Sequence, residues 1–284
     1  MDILELLLHA LEHPLLETAK MTPVLFLAYL FMEWFEHTGN KKLTGFIGKT
    51  KHFGPLISSA LGLIPQCGFS GAIAGMYAAG TVTAGSLIAV ILATSDEMLP
   101  MMLSARISVT VIATILISKF LVGILTGFIT DFVLRRKNAE RIEDIHGFCE
   151  RENCSCKDGV FLSAIKHTIK IVVIIYLVSV VLHFLVELVP EQAIKGILNF
   201  PVLSQLTASA LGLIPSCAVS VMLTQLYIDG ALGITPLLCG LLTNGGVGLL
   251  VLYRVNKNKN HCLFITLTIF LSGLIFGSLI GLFL

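Results

Sequence analysis

The chain has 284 residues with 55% hydrophobic and 13% charged side chains, a mean hydropathy of +0.90 and a formal net charge of +1. This composition excludes an ordinary soluble domain and predicts an all-α, polytopic helical membrane protein. The sequence has no long basic or acidic tail, so no nucleic-acid partner is expected. Its seven cysteines, four of them in apolar segments, argue against a disulfide framework.

The first 20 residues are predicted to form an amphipathic helix at the membrane interface, because leucines and glutamates fall on different faces. Within this segment His9, Glu12 and His13 match the H-x-x-E-H pattern of inverted zinc peptidases. The motif provides an alternative of another class, an intramembrane zinc hydrolase. We favour the interfacial helix, because no folded domain surrounds the motif to supply a third ligand or a substrate cleft.

The remaining sequence is predicted to form two membrane repeats, at 21–133 and 168–284, on either side of a polar connector at 134–167. Each repeat contains three apolar segments that we expect to span the bilayer. These spans are expected at 21–36, 83–103, 107–132, 168–189, 231–253 and 262–284. Between the first and second spans of each repeat lies a further, interrupted apolar segment, at 53–80 in the first repeat and 201–229 in the second.

These interrupted segments contain the clearest internal repeat of the chain. The run Ser59–Pro65 (SALGLIP) recurs letter for letter at Ser209–Pro215, an offset of 150 residues, and the same offset places Cys67 opposite Cys217. Proline and glycine interrupt each copy and leave apolar stretches shorter than the ~20 residues of a spanning helix. Each copy is therefore predicted to form a broken or re-entrant hairpin.

The distribution of basic residues predicts how the two repeats are oriented. Of the 19 Lys and Arg residues, four lie in 37–52, seven in 134–167 and three in 254–261. The positive-inside rule places these three segments in the cytoplasm and both chain termini outside. With three crossings per repeat, the two repeats then have inverted topology in the cytoplasmic (inner) membrane.

Inverted repeats with paired broken helices are the usual construction of secondary transporters, which bind substrate between the two breaks. A second irregularity recurs at the same offset, Thr94–Glu97 in one repeat and Asn244–Gly246 in the other. If these segments also unwind, polar groups of both repeats converge on one cavity. The residues expected to bind substrate are Pro65, Gln66, Cys67, Ser70, Thr94, Ser95, Asp96, Glu97, Pro215, Ser216, Cys217, Ser220 and Asn244. The alternatives are helices kinked for packing alone, and carboxylates at 96 and 97 that lie at the wet outer interface.

Three ionisable residues within predicted spans are candidates for charge pairing or proton relay. Lys119 lies in the middle of a span, and we favour an ion pair with Asp96 or Glu97 over direct contact with an anionic substrate. Glu33 and His183 are opposite each other in the repeat alignment and could relay protons. Helix packing by His183 is an equally acceptable interpretation.

The paired thiols of Cys67 and Cys217 suit a soft metal or metalloid, because thiolates prefer soft ions over Mg²⁺ or Ca²⁺. Free cysteine also behaves as a small hydrophobic residue, and we interpret Cys239 and Cys262 in that way.

The connector contains a second group of candidate metal ligands. His146, Cys149, Cys154 and Cys156 match a Cys3His set in residue type, although not in the usual finger spacing. A regulatory or metal-delivery site and an ordinary loop with reduced thiols are both open interpretations. No other cofactor is expected.

The two G-x-x-P-x-C segments, Gly62–Cys67 and Gly212–Cys217, together with the connector, resemble the ten-helix heavy-metal exporter family related to arsenic permeases. Some members of that family are labelled manganese transporters. The resemblance implies export of a toxic metal or metalloid, and its ten helices count each broken hairpin as two segments. We therefore expect a transporter rather than an enzyme, which works by alternating access in the lipid bilayer. Assembly into a homo-oligomer is an open question. The alternative is a manganese(II) exporter, which would depend on Asp96 and Glu97 more than on the thiols.

Overall fold

The computed structural model describes residues 53–65, 68–78, 80–95, 98–135, 201–256 and 258–283, with isolated positions in 15–30 and 161–180. Throughout this described part the regular structure is helical, which confirms the all-α class. The helices are α1 (Gly54–Gly62), α2 (Gly68–Ala78), α3 (Ala84–Ala93), α4 (Met98–Ser104), α5 (Val109–Arg135), α6 (Pro201–Gly212), α7 (Cys217–Ile228), α8 (Ile234–Thr243), α9 (Gly246–Val255) and α10 (Lys259–Phe283).

Four segments of the described part are long and apolar enough to cross a membrane, namely Ala84–Ser104, Val109–Leu134, Ile234–Val255 and Lys259–Phe283. They confirm the spans expected at 83–103, 107–132, 231–253 and 262–284. The interfacial helix at 1–20, the spans at 21–36 and 168–189 and most of the connector lie outside the described residues, apart from isolated helical positions.

The helix boundaries recur at the offset of 150 residues because the same helix-breaking residues recur. Both α2 and α7 end in a turn with a glycine of positive φ, 78° at Gly80 and 71° at Gly230. The Gly80 amide donates to the Tyr77 carbonyl, and the Gly230 amide donates to the Tyr227 carbonyl. Glycine adopts this left-handed conformation without steric penalty, so it stops both helices at equivalent positions.

The interrupted segment of the first repeat doubles back to the side on which it starts. A Cβ added to Gly54, at the start of α1, would lie 2.3 Å from Ser86 Oγ, near the start of α3. Because α2 ends in a tight turn at 80 and α3 begins at Ala84, the end of α2 also lies near the start of α3. The segment thus has the geometry of a re-entrant hairpin.

The corresponding segment of the second repeat has the same course. Ser278 Oγ, near the end of α10, donates to Gln205 Oε1 of α6 at 2.8 Å. Thr235 Oγ1, at the start of α8, donates to the Gly281 carbonyl of α10 at 3.1 Å. The starts of α6 and α8 therefore both lie near the end of α10, and α7 returns to that side through its turn at Gly230.

Within each repeat, the first half of the broken span packs between the hairpin and the long helix that follows. In the first repeat α3 contacts α1 and α5, and in the second α8 contacts α6 and α10. Glycines permit this packing, since a Cβ on Gly127 would lie 2.7 Å from the Gly85 carbonyl oxygen. Contacts between the repeats join α2 to α9 and α4 to α7.

Candidate functional site

The two helix breaks of the first repeat lie in direct contact. Helix α1 ends at Gly62 and α3 ends at Ala93, and the Ser95 amide donates to the Gly62 carbonyl at 3.2 Å. Ser95 Oγ also donates to the Leu63 carbonyl at 2.8 Å. Both segments that the sequence predicts to unwind are therefore non-helical where they are described, and they are joined by hydrogen bonds.

The second repeat contains the same main-chain contact. Helix α6 ends at Gly212 and α8 at Thr243, and the Gly245 amide donates to the Gly212 carbonyl at 3.3 Å. The Asn244 side chain accepts a hydrogen bond from the Gly246 amide at 3.2 Å, which stabilises the turn into α9. Gly245 occupies the position of Ser95, so the main-chain contact is repeated without the hydroxyl contact.

Two glycines make these contacts sterically feasible. A Cβ added to Gly62 would lie 2.7 Å from the Val90 carbonyl oxygen. A Cβ added to Gly212 would lie 2.4 Å from the Gly240 carbonyl oxygen. Because neither distance accommodates a carbon atom, the repeated glycines are needed for the two breaks of each repeat to meet.

The breaks of opposite repeats are also adjacent. A Cβ added to Gly248, in the first turn of α9, would lie 2.9 Å from Ser70 Cβ in the first turn of α2. Val90 of α3, Leu242 of α8 and Val247 of α9 share one buried apolar cluster. The start of α2 in the first repeat therefore contacts the helix that follows the second break of the other repeat.

The described polar residues at the breaks are buried. Ser70, Ser95 and Ser220 are each 1% exposed, and Asn244 is 2% exposed. Thr94 and Ser216 are also buried, whereas Pro65 is exposed and Pro215 half-buried. Buried polar groups at membrane depth are costly unless they are hydrogen-bonded, so these hydroxyls and carbonyls define a polar region inside an apolar core.

Several predicted site residues lie outside the described part of the chain, together with the side chain of Cys217. They are His9, Glu12, His13, Glu33, Gln66, Cys67, Asp96, Glu97, His146, Cys149, Cys154, Cys156 and His183. The predictions that rest on thiols, carboxylates, the proton relay and the connector therefore remain predictions. Among the described residues, no group of three or more His, Cys, Asp or Glu could hold a metal ion.

Lys119 is 1% exposed in α5, and its Nζ donates to the Leu241 carbonyl of the other repeat at 2.7 Å. Leu241 is in the last turn of α8, where main-chain carbonyls lack partners within the helix and carry partial negative charge. The ammonium therefore compensates the end of a half-helix next to a break. The expected partners Asp96 and Glu97 lie outside the described residues, so the predicted ion pair is untested.

Asp131 is a charged residue that the sequence analysis did not select. Its carboxylate accepts hydrogen bonds from Thr83 Oγ1 at 2.7 Å and from the Gly85 amide at 2.8 Å. An anion at a helix N-terminus is favourable, so Asp131 anchors the start of α3 to α5. The sequence offered one signal for this residue. It is a carboxylate near the end of a predicted span, and the equivalent residue of the other repeat is a glycine.

A second contact missed at the sequence level joins the hairpin of one repeat to the last helix of the other. His261 Nε2 forms a hydrogen bond with Tyr77 Oη, and their rings stack with centroids 6.1 Å apart. Tyr77 is in the last turn of α2 and His261 in the first turn of α10. This polar pair joins the C-terminal end of α2 to the second repeat.

Comparison with known proteins gives one match. A model of the protein family described as "Putative, 10TM heavy-metal exporter" matches residues 2–200, more than half of the chain. No curated protein and no solved structure matches the chain.

Proposed function

The chain belongs to this family of heavy-metal exporters, and on that premise we propose that it moves a heavy metal or metalloid of the arsenic type outward across the cytoplasmic membrane. We further propose alternating access, with the substrate held between the helix breaks of the two repeats. The observation that carries this proposal is the meeting of the breaks, through Ser95 and Gly62, Gly245 and Gly212, and Ser70 and Gly248.

Inverted topology of the repeats is supported by the way their ends are grouped. One core cluster joins Leu87, near the start of α3, to Leu252, near the end of α9, and to Cys262, near the start of α10. The other cluster joins Met102, near the end of α4, to Leu237, near the start of α8. This grouping supports the proposal that α3 and its counterpart α8 start at opposite ends of the bundle, as inverted repeats require.

In the proposed site, a metal or metalloid would lose water and gain protein ligands at the breaks. Cys67 and Cys217 would supply sulfur, which suits a soft substrate such as a trivalent metalloid. The buried hydroxyls of Ser70 and Ser220 and main-chain carbonyls at the helix ends would supply oxygen. Lys119 would hold the end of α8 in place, since its ammonium binds the Leu241 carbonyl.

A manganese(II) exporter is a second candidate, because every described polar side chain at the breaks offers oxygen rather than sulfur or nitrogen as an acceptor. Mn²⁺ prefers carboxylate, carbonyl and water ligands. On this alternative Asp96 and Glu97 would carry the binding, and the two thiols would be dispensable.

A growth panel of arsenite, an organoarsenical, antimonite and manganese in an efflux-deficient host, with cellular metal content measured, distinguishes the candidates. Loss of metalloid tolerance in Cys67→Ser with Cys217→Ser, and its retention in Asp96→Asn, supports the metalloid exporter. Loss of manganese tolerance in Asp96→Asn, and its retention in the double cysteine variant, supports manganese export. The matched control is Cys239→Ala with Cys262→Ala, since both residues are buried away from solvent.

Suppose that the unaltered chain is present in the membrane at normal amounts and still lowers the cellular content of none of these elements. That result would show that it exports no element of the panel. If both sets of variants export normally, the substrate does not bind at the breaks.

A further inference from the structure

Two of the contacts between the repeats occupy equivalent positions but differ in how tightly they are packed. At one of them α2 meets α9, and eight of the eleven residues of α2 are buried. In α9 the buried residues include Val247, Leu249, Val251 and Leu252. The small residues of α2 and Gly248 of α9 allow close approach of the two backbones, so this interface is closed.

Beside the equivalent contact, an open groove lies at the C-terminal parts of α4 and α7, next to a packed cluster that includes Val219 and Leu223 of α7. In α4, Met98 and Met102 are buried. The groove is lined by Pro100, Met101, Ser104, Ala105, Gln225 and Ile228. At the offset of 150 residues, Met101 corresponds to Val251, which is 0% exposed, and Gln225 corresponds to Gly75, which is buried. Met101 and Gln225 therefore border an opening, whereas the residues at the equivalent positions of the other interface are buried.

The closed interface carries a polar contact that its counterpart cannot form. The hydrogen bond between Tyr77 and His261 joins the end of α2 to the start of α10, beside the end of α9. The equivalent residues are Tyr227 and Val111, and valine has no side-chain group that could bond the tyrosine hydroxyl. The closed interface is thus held, at the end of α2 that is farthest from the helix break, by a contact specific to one repeat pair.

We propose that the α4–α7 groove is the path open to substrate in this conformation, and that the α2–α9 interface, held by Tyr77 and His261, is the closed gate on the opposite side. This inference rests on the proposed function, because only a transporter needs two gates that open alternately. In inverted repeats, exchanging the conformations of the two halves converts one access state into the other. Transport then requires that the Tyr77–His261 contact breaks while α4 closes on α7.

The basic residues assign sides to the two gates. Arg254 and Lys259 flank the closed gate, in the loop that the positive-inside rule places in the cytoplasm. The groove lies near the turn at Arg106, on the other side. The conformation is therefore open outward and closed toward the cytoplasm.

Labelling of introduced cysteines by a membrane-impermeant maleimide tests this assignment. The two probes, Met101→Cys and Val251→Cys, occupy equivalent positions, and the labelling of the unaltered chain is subtracted. Reagent outside whole cells should label Met101→Cys, whereas Val251→Cys should stay unlabelled in inside-out vesicles. Adding Tyr77→Phe should raise the labelling of Val251→Cys in vesicles several-fold and lower that of Met101→Cys.

The repeat supplies matched controls for the gate residues. Tyr227→Phe should leave both probes unchanged, because valine occupies the position equivalent to His261 in the other repeat. His261→Gln provides a second disruption of the contact, with Val111→Ala as its counterpart, should Tyr77→Phe reduce the amount of protein in the membrane.

Three results would overturn the inference: Met101→Cys unlabelled from outside, Val251→Cys labelled in the otherwise unaltered chain, or equal effects of Tyr77→Phe and Tyr227→Phe. The labelling does not depend on which substrate is carried. If the expected labelling is found but no element of the growth panel is exported, the gates stand and the proposed substrate class fails. If metal is exported but the labelling is not as expected, the gate assignment alone fails.

Discussion

The Nζ atom of Lys119 lies 2.7 Å from the carbonyl oxygen of Leu241, across the boundary between the two repeats. In the first repeat the equivalent carbonyl, of Ile91, accepts a hydrogen bond from the Thr94 amide at 3.3 Å. The counterpart of Lys119 is Ile269, which is 0% exposed. The carbonyls of Ile91 in α3 and Leu241 in α8 thus accept hydrogen bonds from different groups. The first bonds to a main-chain amide, and the second bonds to a cation from the other repeat.

Replacing Lys119 by methionine is expected to reduce metal export about tenfold or more. A hydrogen bond to a charged group contributes about 1.5 to 3 kcal/mol, and about 1.4 kcal/mol corresponds to a tenfold change in rate. Initial export rates, normalised to the amount of protein in the membrane, provide the measurement. Ile269→Met is the matched control and should export within about twofold of the unaltered chain, because volume-conserving apolar substitutions are well tolerated. Normal export by Lys119→Met would show that the ammonium at α8 is dispensable.

Alanine at Gly62 or Gly212 is expected to lower the free energy of unfolding in detergent by about 1 to 3 kcal/mol, the usual cost of overpacking. The added Cβ would displace α1 from α3 or α6 from α8, and so separate the two breaks of the repeat. Gly233→Ala serves as the control, since its Cβ would be 3.7 Å from the nearest atom, an ordinary contact. Equal denaturation temperatures for all three variants would contradict the close packing of the breaks.

Asp131→Asn is expected to destabilise the protein by about 1 kcal/mol, because it removes the negative charge at the N-terminus of α3 and weakens the bonds from Thr83 and Gly85. The exposed Asp229 provides the comparison, and Asp229→Asn should change stability by less than about 0.5 kcal/mol. Thermal denaturation at one fixed scan rate measures both. A larger effect at Asp229 would mean that the carboxylate of Asp131 does not anchor α3.

Cys239→Ala and Cys262→Ala are each expected to leave the substrate preference of export unchanged. Both thiols are buried, and Cys239 Sγ lies 3.6 Å from Ser278 Oγ of α10. Removing a buried sulfur costs packing and lowers stability modestly, but it removes no proposed ligand. The ratio of metalloid to manganese export measures this, and a change in that ratio would place one of these cysteines at the substrate.

The helix breaks were predictable because their causes are local. Pro65 and Pro215 interrupt identical runs, and the matched polar segments after them end α3 and α8 where expected. The hydrogen bond between Ser95 and Gly62 was not predictable, since it joins residues far apart in sequence through main-chain atoms that every residue has. Lys119 illustrates the same limit. Its charge predicts a charged partner, Asp96 or Glu97, and that prediction stays open, whereas its contact with the main-chain carbonyl of Leu241 is one that no residue type reveals.

The cores of the two repeats also differ in ways that periodicity could not indicate. Tyr77 and Tyr227 are equivalent in the sequence alignment, but only Tyr77 lies opposite a histidine. Whether an interface is open or closed depends on how whole helices are placed. The small residues of α2 and the larger ones of α7 differ in the sequence, but the repeat pattern alone does not show which interface is closed.

Ionisable side chains that brace the half-helices, Lys119 and Asp131, both come from α5, while their counterparts in α10 are Ile269 and Gly281. The two repeats share one architecture, but neither can therefore replace the other. A tandem of two first repeats would bury two ammonium groups in one core, and a tandem of two second repeats would bury none. Neither hybrid should reproduce the natural protein, even though each would retain both copies of the SALGLIP run.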